Sequence, residues 1–265
     1  MVKKIAIYGK GGIGKSIIGQ NLAAAAAQLG YKVMVIGCDP KCDSTIILTH
    51  GKKVETVLDI LRRNEELNPK SILINGYKGV KCIEVGGPTP GVGCAGRGII
   101  VAVQELNKLN LFDGLDLIIF DVPGDVVCGG FAVPIRKGYS EEIYIITSGE
   151  YLSVLAANNI CRGIRENKAN LAGIIGNSRS QTDEQSIISR FAEKIGSPLI
   201  SYLIYSELIK KCERKLITVF ENNGENELTN FFEELAKKIL KNQTNNIPIP
   251  LSDNELRKLF NEGQH

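Results

Sequence analysis

Long apolar runs are missing from this 265-residue chain. None approaches the roughly 18 consecutive residues a helix needs to cross a bilayer, which excludes a helical membrane protein. A strong excess of either charge is missing too: 32 basic and 29 acidic residues leave a net +3. That balance is too mild to indicate a nucleic-acid partner. No internal repeat and no low-complexity linker is evident. With 43% hydrophobic and 23% charged residues, the composition excludes disordered, collagen-like and coiled-coil classes. Closely spaced cysteine pairs are also lacking. Cys38, Cys42, Cys82, Cys94, Cys128, Cys161 and Cys212 contain no C-x-x-C or C-x-C, which excludes a zinc ribbon, a thioredoxin-type motif and the usual ferredoxin run. Their odd number prevents complete pairing within one chain. The first residues run directly into a Gly-rich loop and leave no room for a signal peptide. The expectation is a cytoplasmic protein with no membrane and no nucleic-acid partner.

Glycine is in excess, at 28 residues, many of them gathered around 9–14, 86–98, 124–130 and 173–176. Such clustering marks loops that turn sharply or approach a ligand closely. Short apolar runs at 4–8, 32–36, 117–120, 142–147, 171–175 and 198–203 read as buried strands. The segments 16–29, 153–165, 183–195 and 228–240 read as helices. Alternation of the two predicts an α/β fold, a doubly wound and mostly parallel sheet covered on both faces. The whole chain, 1–265, reads as a single domain with a short tail from about 242 to 265. In such a sheet ligands bind at the carboxyl ends of the strands.

Gly9-Lys10-Gly11-Gly12-Ile13-Gly14-Lys15-Ser16 fits G-x-x-x-x-G-K-[ST] between a strand and a helix, the phosphate-binding loop of a P-loop NTPase. Gly9, Gly11, Gly12 and Gly14 let backbone N–H groups turn around an anion, and the helix N-terminus adds partial positive charge. Lys15 is expected to reach the β- and γ-phosphates, and Ser16 to bind Mg²⁺. Lys10 makes this the deviant form with a second lysine. Asp121, closing the run Leu117-Ile118-Ile119-Phe120, is the acidic residue such a site needs for its Mg²⁺ shell. Asp39 and Asp43 follow the second strand on the same edge.

Cys94 and Cys128 sit among glycines, in Gly91-Val92-Gly93-Cys94-Ala95-Gly96-Arg97-Gly98 and Asp125-Val126-Val127-Cys128-Gly129-Gly130. Taken alone, they read either as buried or redox-active free thiols, or as ligands of a [4Fe–4S] cluster. Two cysteines per chain suffice for a cluster only on the two-fold axis of a homodimer. Cys128 follows Asp121 by seven positions, so a change at the γ-phosphate can pass along one short segment.

These segments, with Gly37-Cys38-Asp39-Pro40-Lys41, Gly86-Gly87-Pro88-Thr89-Pro90, Ser148-Gly149-Glu150 and Gly176-Asn177-Ser178-Arg179, resemble the nitrogenase iron protein family. That family includes the reductase components of dark protochlorophyllide reduction and nickel-tetrapyrrole reduction. The resemblance implies a homodimer with one [4Fe–4S] cluster held by Cys94 and Cys128 of each chain, and one MgATP per chain. It implies that Lys15, Ser16, Asp39, Lys41, Asp43 and Asp121 surround the phosphates and metal. Lys10 and Asp125 would serve hydrolysis, with Lys10 crossing to the partner's nucleotide, and Asn177 would touch the purine. Arg97 matches an arginine on the partner-docking face that some members carry ADP-ribosylated. The implied work is ATP-gated one-electron transfer from a ferredoxin- or flavodoxin-type source to a nitrogenase or nitrogenase-like catalytic component. The chain departs from the family at Ile17, Ile18, Thr89, Pro123 and Ile204-Tyr205-Ser206. Two alternatives share the phosphate loop: a cluster-free partitioning or positioning ATPase, and a metal-insertion or cluster-scaffold ATPase. The first often ends in a membrane-seeking helix, and the second typically carries close cysteine pairs.

Overall fold

Strands buried on both faces need apolar side chains in both directions, and the runs Ile5–Tyr8, Val33–Ile36 and Leu117–Phe120 supply them. The computed structural model describes residues 2–53, 55–87, 95–124, 140, 142–179, 184–222, 226–244 and 246–261. In chain order the elements are β1 (Lys3–Tyr8), α1 (Lys15–Gln28), β2 (Val33–Gly37), α2 (Val57–Arg62), α3 (Pro69–Ile72), β3 (Ile74–Asn75), β4 (Lys81–Glu84) and α4 (Ala95–Lys108). There follow β5 (Leu117–Asp121), β6 (Glu142–Thr147), α5 (Tyr151–Glu166), β7 (Leu171–Asn177), α6 (Gln185–Lys194), β8 (Leu199–Leu203), α7 (Glu207–Arg214), α8 (Glu227–Lys241) and α9 (Asp253–Asn261). The strands form one sheet in the order β3-β4-β2-β5-β1-β6-β7-β8. All pairings are parallel except β3 with β4.

From β1 the chain builds outward first on one side, through β2 and β4, and later on the other, through β6, β7 and β8. The crevice at the carboxyl end of β1 is therefore the switch point where such sheets bind ligands. Register brings Asp121 level with Ile7 on β1 and Gly37 on β2. The last residue of β5 thus lies between the ends of both neighbours.

One face of the sheet carries α1 and α8, and the other carries α2, α4, α5, α6 and α9. Ala23, Ala24, Ala25 and Ala26 are all fully buried. Their small side chains let α1 lie between the sheet and α8, which explains a helix buried over most of its surface. Helix α8 starts at an Asn226–Thr229 capping box and turns Phe232, Leu235, Ala236 and Ile239 into the same cluster. Burying each of the larger three contributes about 1.5–3 kcal/mol. That apolar face is covered by the protein's own core, and no helix among the described residues is long and apolar enough to cross a membrane. Leu251, Leu256 and Leu259, from the last residues, are buried in the opposite cluster, and Asn158 braces Leu251 through both its backbone N–H and C=O.

Candidate active site

The phosphate loop links β1 to α1. Gly14 caps the helix in the left-handed region, at φ +95°, and no side chain caps the first turn. Its N–H groups are left facing the loop, as an anion site requires. Lys15 is buried, and its Nζ donates to the carbonyl of Lys10 at 3.3 Å. Gly124 closes over this loop. A Cβ there would lie 2.4 Å from Gly9 O, 2.6 Å from Gly11 N and 2.6 Å from Lys15 Nζ. Only glycine lets the segment after β5 approach so near.

Asp121 is buried at the floor of the site, and among the described residues neither carboxylate oxygen has a hydrogen-bond partner. Burial pushes its carboxyl above the usual range. The hydroxyls of Ser16 and Ser44 and the charge of Lys15 offset part of that rise, and Asp43 adds to it. The hydroxyls approach without reaching regular hydrogen-bond geometry, since both oxygens stay unpaired. An unpaired buried carboxylate costs stability that a cation can return. With the neighbouring Ser16 hydroxyl it offers oxygens suited to a hard divalent cation, while the Lys15 ammonium beside them suits the phosphate oxygens such a cation carries.

Further carboxylates crowd this edge. Asp39 accepts from Lys41 N at 3.0 Å, which fixes the turn after β2, and Asp43 is exposed. Glu84, at the end of β4, is buried and accepts from Thr45 Oγ1 at 2.7 Å, while its second oxygen is unpartnered. Burial lifts its carboxyl to about 8, with Thr45 opposing and Asp121 and Asp43 assisting. The Cys38 thiol rises for the same reasons, burial first and then the charges of Asp121, Glu84 and Asp39.

A cavity of about 810 Å³ opens from this floor. Gly12, Lys15 and Ser16 line one end, and Ile204, Tyr205 and Ile209 line the other. Asn177, at the end of β7, stands between them and donates from Nδ2 to Ile13 O at 2.6 Å. Glu184 steadies that corner, accepting from Gly149 N at 2.7 Å and Arg179 N at 3.2 Å.

The structure thus brings Gly9, Lys10, Gly11, Gly12, Gly14, Lys15, Ser16, Asp39, Lys41, Asp43, Asp121 and Asn177 to one edge of the sheet. Arg97 is exposed in the first turn of α4. Cys94, Cys128 and Asp125 lie outside the described residues. Cys38, Cys82, Cys161 and Cys212 are buried free thiols and Cys42 is half-buried. Burial raises the pKa of all five above the ordinary thiol value, the opposite of what a ligand thiolate needs. Glu84, Gln20 and Glu184 escaped the sequence reading. For Glu84 the signal is weak, because only Cys82 and Ile83 separate it from Lys81, against the four apolar residues that precede Asp121.

The 4Fe-4S iron sulfur cluster binding proteins, NifH/frxC family, match over residues 3–265. The chain is 52% identical over 261 residues to a nitrogenase iron protein 2 of Methanobacterium ivanovii, covering 98% of each. It is 49% identical to a nitrogenase iron protein of Methanospirillum hungatei JF-1, covering 97% of this chain and 95% of the relative. Among solved structures, the septum site-determining protein MinD complexed with Mg-ADP from Pyrococcus horikoshii OT3 superposes with a TM-score of 0.72 at 18% identity, over 91% of this chain and 97% of that one. A ParA family ATPase from Chlorobium tepidum TLS gives 0.70 at 18% identity, over 89% and 99%. At that identity the likeness shows the fold alone, a P-loop NTPase sheet. The family match and the two half-identical relatives agree with the phosphate loop and the buried Asp121: the chain belongs to the NifH/frxC family of 4Fe-4S cluster binding proteins and is a nitrogenase-type, ATP-hydrolysing reductase component.

Proposed function

We propose that two copies of this chain share one [4Fe–4S] cluster through Cys94 and Cys128 of each, and that MgATP hydrolysis gates single-electron delivery to a docked catalytic component. The observation that carries the reading is the orphaned Asp121 carboxylate beneath a phosphate loop whose lysine is buried beside it. Gly9–Ser16 holds the phosphates through backbone N–H groups, and Lys15 meets their negative charge. Ser16 and Asp121 hold Mg²⁺, with Asp39, Lys41 and Asp43 completing that polar edge. Lys10 and Asp125 serve hydrolysis. Asn177 lies between the phosphate end and the base end of the cavity, where it orients the purine.

The cluster supplies one-electron reduction when bound. The chain's own part is to turn occupancy of the phosphate site into movement of the segment after Asp121, which leads to Cys128 in seven positions. Arg97, exposed at the start of α4, belongs to the docking face for a nitrogenase or a nitrogenase-like component, a tetrapyrrole reductase included. The electron source is a ferredoxin or flavodoxin, and the setting is the cytoplasm.

Iron and acid-labile sulfide on anaerobically purified protein test this. The expectation is about four irons per dimer, in a particle sedimenting near twice 28.9 kDa. Cys94→Ser and Cys128→Ser should each remove the iron without unfolding the chain. Full iron content in either variant, or in a monomer, would refute the shared cluster.

A further inference from the structure

The turn that follows β2 carries Asp39, Lys41 and Asp43, and it is fixed from two sides. Gln20 on α1 is fully buried; its amide donates to Asp43 O at 3.3 Å and its carbonyl accepts from Ile47 N at 2.7 Å. From the other side, Glu84 accepts from Thr45 Oγ1 at 2.7 Å. The carboxyl of Glu84 thus ties β4 to a residue two positions after Asp43. Beyond β4, Gly87 lies directly on Pro40, where a Cβ would come within 2.5 Å of the proline Cβ. Arg62 donates to the carbonyl of Gly87, and Leu58 N donates to Val85 O at 3.0 Å. Residues 84–87 are therefore held between the turn that carries Asp39 and Asp43, through Thr45 and Pro40, and α2, through Leu58 and Arg62. In sequence, Glu84 precedes Cys94 by ten positions and Gly87 precedes it by seven.

We propose that Glu84–Gly87 is a second lead from the nucleotide to the cluster, separate from the Asp121 segment, with Glu84 and Thr45 as its positioning residues and the Pro40–Gly87 contact as its second tie. The proposal rests on the function proposed above and deepens it. Each cluster cysteine then has its own connection to a phosphate-facing carboxylate: Cys128 through Asp121, and Cys94 through the turn that carries Asp39 and Asp43. Nucleotide occupancy shifts that turn, and Thr45 and Pro40 carry the shift into the chain ahead of Cys94. Such coupling travels through packed, hydrogen-bonded groups, and the buried Glu84–Thr45 bond and the Pro40–Gly87 contact are the groups that join the turn to residues 84–87.

The test uses the cluster-loaded dimer and compares how fast a ferrous chelator strips iron with and without MgATP, alongside the Kd for MgATP. Thr45→Val keeps the side-chain shape and removes the hydroxyl donor. Its expected signature is a Kd within about threefold of wild type, with the MgATP-driven change in iron removal reduced about tenfold. Thr45→Ser restores the donor and should restore the response. Gly87→Ala presses on Pro40 and should reduce the response without touching the phosphate loop, which keeps the test open if Thr45→Val folds poorly. A wild-type response in Thr45→Val or in Gly87→Ala would overturn the proposal. So would a response that falls only in proportion to lost nucleotide binding. A wild-type protein that loads iron but shows no MgATP response would sink the gating function itself, and this lead with it.

Discussion

The two ends of the 810 Å³ cavity are built on different principles. At the phosphate end the contacts come from backbone and from buried groups: Gly14 in a left-handed cap, Gly124 pressed onto the loop, Lys15 and Asp121 out of solvent. At the other end they come from replaceable side chains on the residues that follow the edge strand β8 and on the short helix α7. Ile204 is 71% exposed, and Lys210 donates to the Tyr205 hydroxyl at 2.6 Å with its ammonium 4.5 Å from that ring's centroid, all on the surface. A phosphate group presents the same oxygens to every such protein, so its cradle tolerates little change. On the function proposed above, the wall facing the base would need only an apolar surface and a few polar atoms. Ile204-Tyr205-Ser206, which departs from the family pattern, lines that less exacting end.

Substitutions at the two ends should therefore differ sharply in effect. Lys15→Gln removes the buried lysine of the phosphate loop and should lower ATP hydrolysis by about 10³-fold, read as phosphate release. Gly124→Ala drives a methyl into Gly9 O and Gly11 N, neither of which can yield without moving the loop, and should cost hydrolysis about 10²-fold. Glu84→Gln acts on stability. The Glu84 carboxyl, raised to about 8 in the fold, keeps a proton that the unfolded chain releases above the ordinary carboxylate range. Stability without nucleotide should then be full below about 4.5 and fall as pH rises toward 8, by up to about 1.4 kcal/mol per pH unit. Urea midpoints across that range should show the slope flattened in Glu84→Gln. Lys210→Ala, at the exposed end, should change the MgATP Kd by no more than about threefold. A larger loss there than at Gly124 would invert the comparison.

The phosphate loop, Asp121 and the alternation of strands with helices were legible because each depends on local spacing. A Gly-Lys-Ser run at the start of a helix and an aspartate ending four apolar residues have few other uses. Strand β4 was hidden because it is four residues long and opens with Lys81, which breaks the apolar run. The first turn of helix α4 falls in the Gly-rich stretch 86–98, whose composition reads as a loop, and no signal marks the rest of the helix. In the fold Gly98 sits inside it against Leu58, where a Cβ would come within 2.7 Å, so the glycine serves helix packing rather than a turn. Helix α7 spans only eight residues, although Ser206 caps it by accepting from Leu208 N. The Glu84–Thr45 and Gln20–Ile47 bonds join residues 39 and 27 positions apart. No spacing rule reaches that far, and only the tertiary fold discloses them.

On the function proposed above, nucleotide bound at one end of this site is felt at the cluster. Electron paramagnetic resonance on the reduced, iron-loaded dimer, with and without saturating MgATP, tests it most directly, with Lys15→Gln as the control. The account predicts a wild-type spectrum that changes with MgATP and a Lys15→Gln spectrum that does not. A wild-type spectrum indifferent to MgATP, in protein shown to bind the nucleotide, would contradict it.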